Sequence, residues 1–293
     1  MNLKNKKIKT LELKEKIAQY FEKSISSSGA FNSGDPQVKK TYVKNVLENK
    51  IEKEIYQTIK GDIKNLKRKK ILDMGCGLGG FLLVCHNNKT QVTGIEIDPY
   101  AIEIAKLRTN NDKNILLGDC EELPFPDNCF DLAVSITVIE HVKSPLKYLK
   151  EAHRVLKKNG KLIIFAPNYL FPWEGHYKLF WLPYLFPYTK SLFKFYLKIK
   201  NRNPKFIDFI NLKITPNYLR KALKKAGFIK IQDLSLQRFK KRIDHPKLIT
   251  NPKPGKIIKK IKKNKLLYKL LKTSIPLLKI LKIYHPLLLV AEK

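Results

Sequence analysis

Between residues 70 and 168, short apolar runs and longer amphipathic stretches follow one another in turn. The apolar runs at Lys70–Met74, Gln91–Ile95, Ile115–Leu117, Phe130–Ser135 and Lys161–Ala166 predict five strands. The stretches Gly79–Asn87, Pro99–Asn110 and Pro145–Leu156 predict the helices between them. Strands and helices alternating at these lengths imply a parallel sheet covered on both faces. Upstream, helical patterns over 1–23 and 36–60 flank "SISSSGAFNSGD" (24–35), which reads as a flexible loop. Downstream, the alternation breaks over an aromatic, basic stretch, 167–212. It resumes at Thr215–Ala226, where Thr215-Pro216 offers an N-cap and first turn and Gly227 a stop. "FIKIQDLSL" predicts a sixth strand and "HPLLLVAEK" a last one. The predicted organisation is a helical segment (1–69), a core (70–168), an aromatic insertion (169–214), a core helix and strand (215–236), a basic amphipathic insertion (237–284) and a final strand (285–293).

The first strand runs into "ILDMGCGLGG", residues Ile71 to Gly80. Glycines let a backbone approach a ligand closely and take positive φ, and the helix start behind them offers unpaired N–H groups. A crevice beyond the strand carboxyl ends is the usual binding place in such sheets. A glycine loop alone also suits a dinucleotide. Here, however, it reads GxGxGG, and the acid before it, Asp73, suits a cation better than a pyrophosphate. Glu96 closes the second strand about twenty residues on, where a carboxylate can accept from both ribose hydroxyls. Asp119 follows the third strand, within reach of an exocyclic amine.

Asp73-Met-Gly75-Cys-Gly77-Leu-Gly79-Gly80, Glu96, Gly118-Asp119, Phe130-Asp131 and Leu156-Lys-Lys-Asn-Gly160 together resemble the class I S-adenosylmethionine-dependent methyltransferases, in particular the subgroup with quinone and small-molecule methylases. The resemblance implies an α/β, Rossmann-like, seven-stranded and mostly parallel sheet with the last strand antiparallel. It also implies S-adenosylmethionine as cofactor. Asp73, Gly75 and Gly77 would hold its methionyl part, Glu96 its ribose, and Asp119 with Cys120 its adenine. Cys76, Gly79, Ile97 and Ser135 complete the expected cofactor site. Lys158-Asn159-Gly160 stands where the family usually has Pro-Gly-Gly.

An oxygen acceptor must lose a proton, so a base is sought on the loops beyond the strands. His141, in "IEHV", is one candidate; the competing reading is a residue that fixes its loop and caps the next helix. Glu174 and His176 lie two apart among Trp173, Tyr177, Phe180 and Trp181. An acid beside an imidazole raises its basicity, although the same stretch also suits a packed aromatic lid. The four cysteines, Cys76, Cys85, Cys120 and Cys129, show no CxxC pairing, and no metal site is expected.

Charge adds a partner question. The chain carries a formal charge of +34, very unevenly spread: residues 1–70 hold 18 basic against 8 acidic residues, 71–170 hold 11 against 12, and 171–293 hold 30 against 5. In 255–283, lysines interleave with leucine and isoleucine, and a helical wheel puts Ile257, Ile261, Tyr268 and Leu271 on one face, with Leu266 and Leu270 off it. Such a helix suits an anionic membrane surface. Nucleic acid is the competing anion, but only seven of the 59 basic residues are Arg and no stacking aromatics accompany the lysines. A helical cover over the acceptor site, with solvated lysines, is the third reading. No signal peptide or membrane span is apparent, which predicts a cytoplasmic protein, peripheral at the inner membrane if the basic segment docks. The function expected is methyl transfer to a small-molecule or lipid- or glycan-linked acceptor, on oxygen. Carbon methylation of a quinone precursor, RNA methylation and a non-catalytic cofactor-binding scaffold stay open. The sequence leaves the oligomeric state unstated.

Overall fold

A computed structural model describes all residues except 1–2, 27–35, 64, 111, 178, 183–189, 247–248 and 250–251. Part of the loop expected at 24–35 therefore lies outside the described residues. The seven-stranded sheet comprises β1 (Ile71–Met74), β2 (Val92–Glu96), β3 (Ile115–Leu117), β4 (Phe130–Ile136), β5 (Leu156–Ala166), β8 (Lys230–Asp233) and β9 (Leu287–Glu292). Its order is β3-β2-β1-β4-β5-β9-β8. β1 to β5 pair in parallel, and β9 lies between β5 and β8, antiparallel to both. A separate short hairpin joins β6 (Trp173–Glu174) to β7 (Leu179–Phe180).

Period two explains how one sheet feeds two cores. Leu72, Met74, Ala133, Leu162, Ile164 and Leu289 pack into one apolar cluster, together with helices α6 (Pro145–Val155) and α8 (Pro216–Lys225) and the aromatic insertion. Their neighbours Ile71, Leu132, Val134, Ile163, Phe165 and Leu288 pack into the other, beneath α3 (Lys50–Asp62), α4 (Gly80–Asn87) and α5 (Pro99–Arg108). Burial on both faces is why the strands read as continuous apolar runs. α5, α6 and α8 begin alike, with Asp98, Ser144 or Thr215 accepting from a backbone N–H of the first turn and a proline following.

The expected helix over 36–60 is two helices, α2 (Pro36–Glu48) and α3, broken at Asn49, which takes φ 49°. Asparagine tolerates this left-handed turn better than most residues. The second basic insertion starts earlier than expected, with α9 (Ser235–Asp244), and continues through α10 (Pro252–Lys263), α11 (Lys265–Thr273) and α12 (Ile275–Leu281). Asp244 anchors this insertion by accepting from the Tyr268 hydroxyl at 2.5 Å and pairing with Lys272 Nζ at 2.9 Å. Ile261, Tyr268 and Leu271 are partly covered, as the wheel implied, but Ile257 is 56% exposed. The wheel treats 255–283 as one rod, whereas the breaks at Asn264 and Ser274 rotate each helix separately. No helix among the described residues is long and apolar enough to cross a membrane.

Candidate active site

The strand order reverses about β1 and β4, and a cavity of about 550 Å³ opens at their carboxyl ends. Asp73, Gly75, Cys76 and Gly77 follow β1 into its wall, Glu96 and Ile97 end β2, and Asp119 and Cys120 follow β3. Gly75 takes φ +78°, and a Cβ there would stand 2.6 Å from the Val138 side chain. Gly77 takes φ +49°. Glu96 ties the loop to β2: one carboxylate oxygen accepts from Gly77 N at 2.8 Å, the other from Ile97 N at 2.9 Å and Asp98 N at 3.1 Å. The carboxylate is thus fixed at the strand end, half-buried, with acceptor capacity left over. Asp119 is exposed, and its Oδ1 accepts from Glu121 N at 2.8 Å, which fixes its direction.

Asp73 is 2% exposed, and its Oδ2 has no hydrogen-bond partner among the described residues. Burial, followed by the nearby carboxylates Glu52 and Glu96, holds its carboxyl well above the usual range. A cationic donor arriving here would satisfy the orphaned oxygen and favour the ionised form. A buried acid beside a glycine loop, with a second carboxylate on the same cavity wall, suits a ligand that carries a positive charge and hydroxyl donors.

Two expected cofactor residues lie off the cavity wall. Gly79 takes φ +73° as the N-cap of α4, and a Cβ there would stand 2.8 Å from Ala105 Cβ, so it serves helix packing. Ser135 is fully buried beside the Tyr148 hydroxyl. Ile136, Thr137 and Val138, at the carboxyl end of β4 and just beyond it, line the cavity instead.

The sequence reading also missed a whole wall. Tyr20 from α1 (Leu3–Tyr20), Tyr42 and Val46 from α2, Glu52 from α3 and Arg108 from α5 line the same cavity. Arg108 is 7% exposed. It donates to Leu78 O at 2.5 Å, to Val46 O at 2.8 Å and to Asn49 Oδ1, joining the glycine loop to the α2–α3 break. Burial pushes it down to about 10, with Glu52 and Tyr42 opposing. One signal was available: Ala101, Ile104 and Ala105 form the inner face of α5, and Arg108 falls where that spacing calls for an apolar residue.

Beyond the cavity stands a cluster of two histidines and two carboxylates. His141 lines the cavity. Its Nδ1 lies 3.1 Å from Phe209 O, so Nδ1 carries the proton, and Nε2 lies 3.8 Å from Glu140 Oε1. Desolvation by the surrounding wall, then the neighbouring His176, pushes His141 down to about 4. His176 Nδ1 meets Glu174 Oε1 at 2.7 Å, while Tyr177 N donates to Glu174 Oε2 at 2.6 Å. Burial acts against the His176 cation, but the Glu174 charge and hydrogen bond outweigh it and raise His176 above its ordinary value. Glu174 moves oppositely: burial would raise it, and His176 brings it below the usual carboxylate range. The two imidazoles are 5.7 Å apart edge to face, and Phe206 packs against both. Glu174 and His176 themselves stand one ring behind the cavity wall.

Glu140 was not singled out from sequence, although it directly precedes His141. It is 1% exposed, its Oε2 has no hydrogen-bond partner among the described residues, and burial pushes it up to about 7. Cys76, Cys85 and Cys120 are buried and all four cysteines are free.

Residues 72–164 match the family described as a methyltransferase domain. The chain is 35% identical over 99 residues to a sterol 4-C-methyltransferase of Caenorhabditis elegans, covering 32% of this chain and 30% of that one. It is 32% identical over 148 residues to a chloroplastic 2-methyl-6-phytyl-1,4-hydroquinone methyltransferase of Oryza sativa, covering 47% and 44%. Among solved structures it is similar to phosphoethanolamine N-methyltransferase 2 of Haemonchus contortus in complex with S-adenosyl-L-methionine, with 20% identity, a TM-score of 0.49 and coverage of 82% and 51%. The chain thus spans less than half the length of either curated relative. Residues 72–164 thus carry a methyltransferase domain.

Proposed function

We propose that this chain transfers a methyl group from S-adenosylmethionine to an oxygen of a small-molecule or lipid- or glycan-linked acceptor. The cofactor supplies an electrophilic methyl and its own leaving group, so the protein need only position the acceptor and take its proton. The observation that carries the reading is His141, a wall residue of the cofactor cavity, in contact with the His176–Glu174 pair. Glu174 pairs with His176 at Nδ1 and raises its basicity, and His141 remains neutral at physiological pH beside it. Asp73, Gly75, Cys76 and Gly77 would hold the methionyl part, Glu96 the ribose, and Ile97, Asp119 and Cys120 the adenine.

The sterol and quinol methyltransferases to which the chain is similar support an apolar acceptor, and a quinone-like carbon acceptor is the second reading. The segment 255–283 would meet an anionic membrane: Leu266, Leu270, Leu277 and Ile280 are each more than half exposed among its lysines. Nucleic acid is disfavoured by the scarcity of arginine.

The test has two stages. Calorimetric titration of S-adenosylmethionine into the parent and Glu96→Ala, with NAD as control, should show micromolar binding lost in the variant and no NAD binding. Labelled methyl transfer into extracted lipids should then fall severely in His176→Ala with cofactor binding intact. Preference for NAD would overturn the cofactor reading, and near-normal turnover in His176→Ala would overturn the base.

A further inference from the structure

The reading above gives membrane contact to 255–283, but a second exposed apolar surface surrounds the histidine cluster itself. Helix α7 (Lys190–Ile199) buries Phe193 and Leu197 against the aromatic insertion. Leu192, Phe195 and Ile199 recur three and four residues apart, so they share a face turned away from that core. They are 38%, 61% and 61% exposed. The neighbouring hairpin and loop add Phe180 at 69%, Leu182 at 59% and Phe209 at 56%. These pieces form one continuous structure: the Tyr196 hydroxyl donates to Phe180 O at 3.0 Å, Lys190 Nζ to Ile207 O at 3.1 Å, and Lys194 pairs with Asp208 at 2.7 Å. They also form the far wall of the acceptor site, since His141 is bonded to Phe209 O and Phe206 packs on both imidazoles.

An exposed set of this size and composition is unusual for a surface that meets only water. Its charge tells which partner it fits. From Lys190 to Lys213 the chain has seven basic residues and one acid, Asp208, which is already paired with Lys194. Aromatic and aliphatic side chains projecting among lysines match an anionic bilayer, with the rings entering the acyl boundary and the ammonium groups at headgroup level.

We propose that α7 and the β6–β7 hairpin, rather than the 255–283 segment alone, insert into an anionic phospholipid surface and place the His141–His176 site at the bilayer, where an apolar acceptor would be taken up directly. This rests on the membrane-linked acceptor proposed above. It differs in naming the surface that touches lipid and in tying that contact to the active site. Binding there needs no new charge from 255–283, which would act as a second attachment.

The test uses the full chain with vesicles of phosphatidylglycerol and dibrominated phosphatidylcholine. Two reporters are made, Phe195→Trp on α7 and Leu270→Trp on α11. Bromine quenching of the added Phe195→Trp emission, relative to the parent with its two native tryptophans, is the expected result. The double substitution Phe195→Ser and Ile199→Ser should weaken vesicle binding by about tenfold or more, because two large apolar side chains no longer leave water. Vesicle binding with quenching only in Leu270→Trp, and full affinity in the double variant, would overturn this inference and leave the 255–283 reading standing. Absence of any vesicle binding would overturn both. Concentration-dependent dimerisation without lipid, abolished by the double substitution, would assign the surface to a second copy of the chain and overturn the lipid assignment.

Discussion

Replacing Glu174 with Gln isolates the electrostatic part of the histidine cluster, since the side-chain shape is kept and one oxygen can still accept from Tyr177 N. In the parent, burial and the carboxylate act on His176 in opposite directions, and the carboxylate wins. An opposite charge at hydrogen-bond distance moves a partner by roughly 1–3 pH units, equivalent to about 1.4–4 kcal/mol between protonation states. Without that charge burial is opposed chiefly by the smaller effect of Glu140, so His176 should fall below its ordinary value of about 6.5. Stability follows with a definite sign. The His176–Glu174 ion pair stabilises the parent fully between the ordinary carboxylate value of about 4.3 and the ordinary imidazole value of about 6.5; that contribution is lost as pH rises through the raised His176 value and as pH falls through the lowered Glu174 value. The variant should show no such loss. Carbon-detected titration of the imidazole signals, with His176 assigned by its disappearance in His176→Gln, reads this directly and needs no acceptor. A parent His176 that titrates at or below 6.5, or one unmoved by Glu174→Gln, would refute the reasoning and with it the case for His176 as the stronger base of the pair.

Arg108→Leu should cost about 2–4 kcal/mol in denaturant unfolding, because three carbonyl or amide acceptors lose a buried cationic donor at once. The same change should weaken S-adenosylmethionine binding by calorimetry, since the Tyr42–Val46 wall loses its tie to the glycine loop; unchanged affinity would show that this wall does not contact the cofactor. Gly75→Ala should abolish cofactor binding while the fold persists by circular dichroism, given φ +78° and the 2.6 Å approach to Val138. Acid should destabilise the chain through His285, which is partly buried and pushed down to about 3 by desolvation and the nearby Arg242 and Arg238, its Nδ1 accepting from Asn168 N at 3.2 Å. Its unfolded form takes up a proton near pH 6.5, so stability should drop as pH falls from there towards 3, by up to about 1.4 kcal/mol per unit. His285→Gln, compared with the parent in unfolding curves at pH 7 and 5, should flatten that slope.

The core was legible from the chain because local and global demands agree there. Apolar runs such as Phe130–Ile136 are buried on both faces of a sheet, and the glycines between Gly75 and Gly79 mark a backbone that takes positive φ at three positions. The acid at the end of β2 was found for the same reason: its place follows from the strand it terminates. Glu174 and His176 were identified as a pair because two residues of separation sufficed to bring them together. What the sequence could not give was contact across distance. His141 and His176 are 35 residues apart and meet only because the hairpin segment packs against the loop that follows β4. Arg108 looks like a surface cation until α2 and α3 are laid over it. Ser135 was placed at the site by its position in a motif, yet side-chain direction at the end of β4 buries it. The exposed face of α7 was hidden most deeply. Leu192, Phe195 and Ile199 are as apolar as Phe193 and Leu197, and nothing local distinguishes those that meet the core from those left outside. That choice belongs to packing, where a helix has one side against its neighbours and the rest must face whatever surrounds the protein.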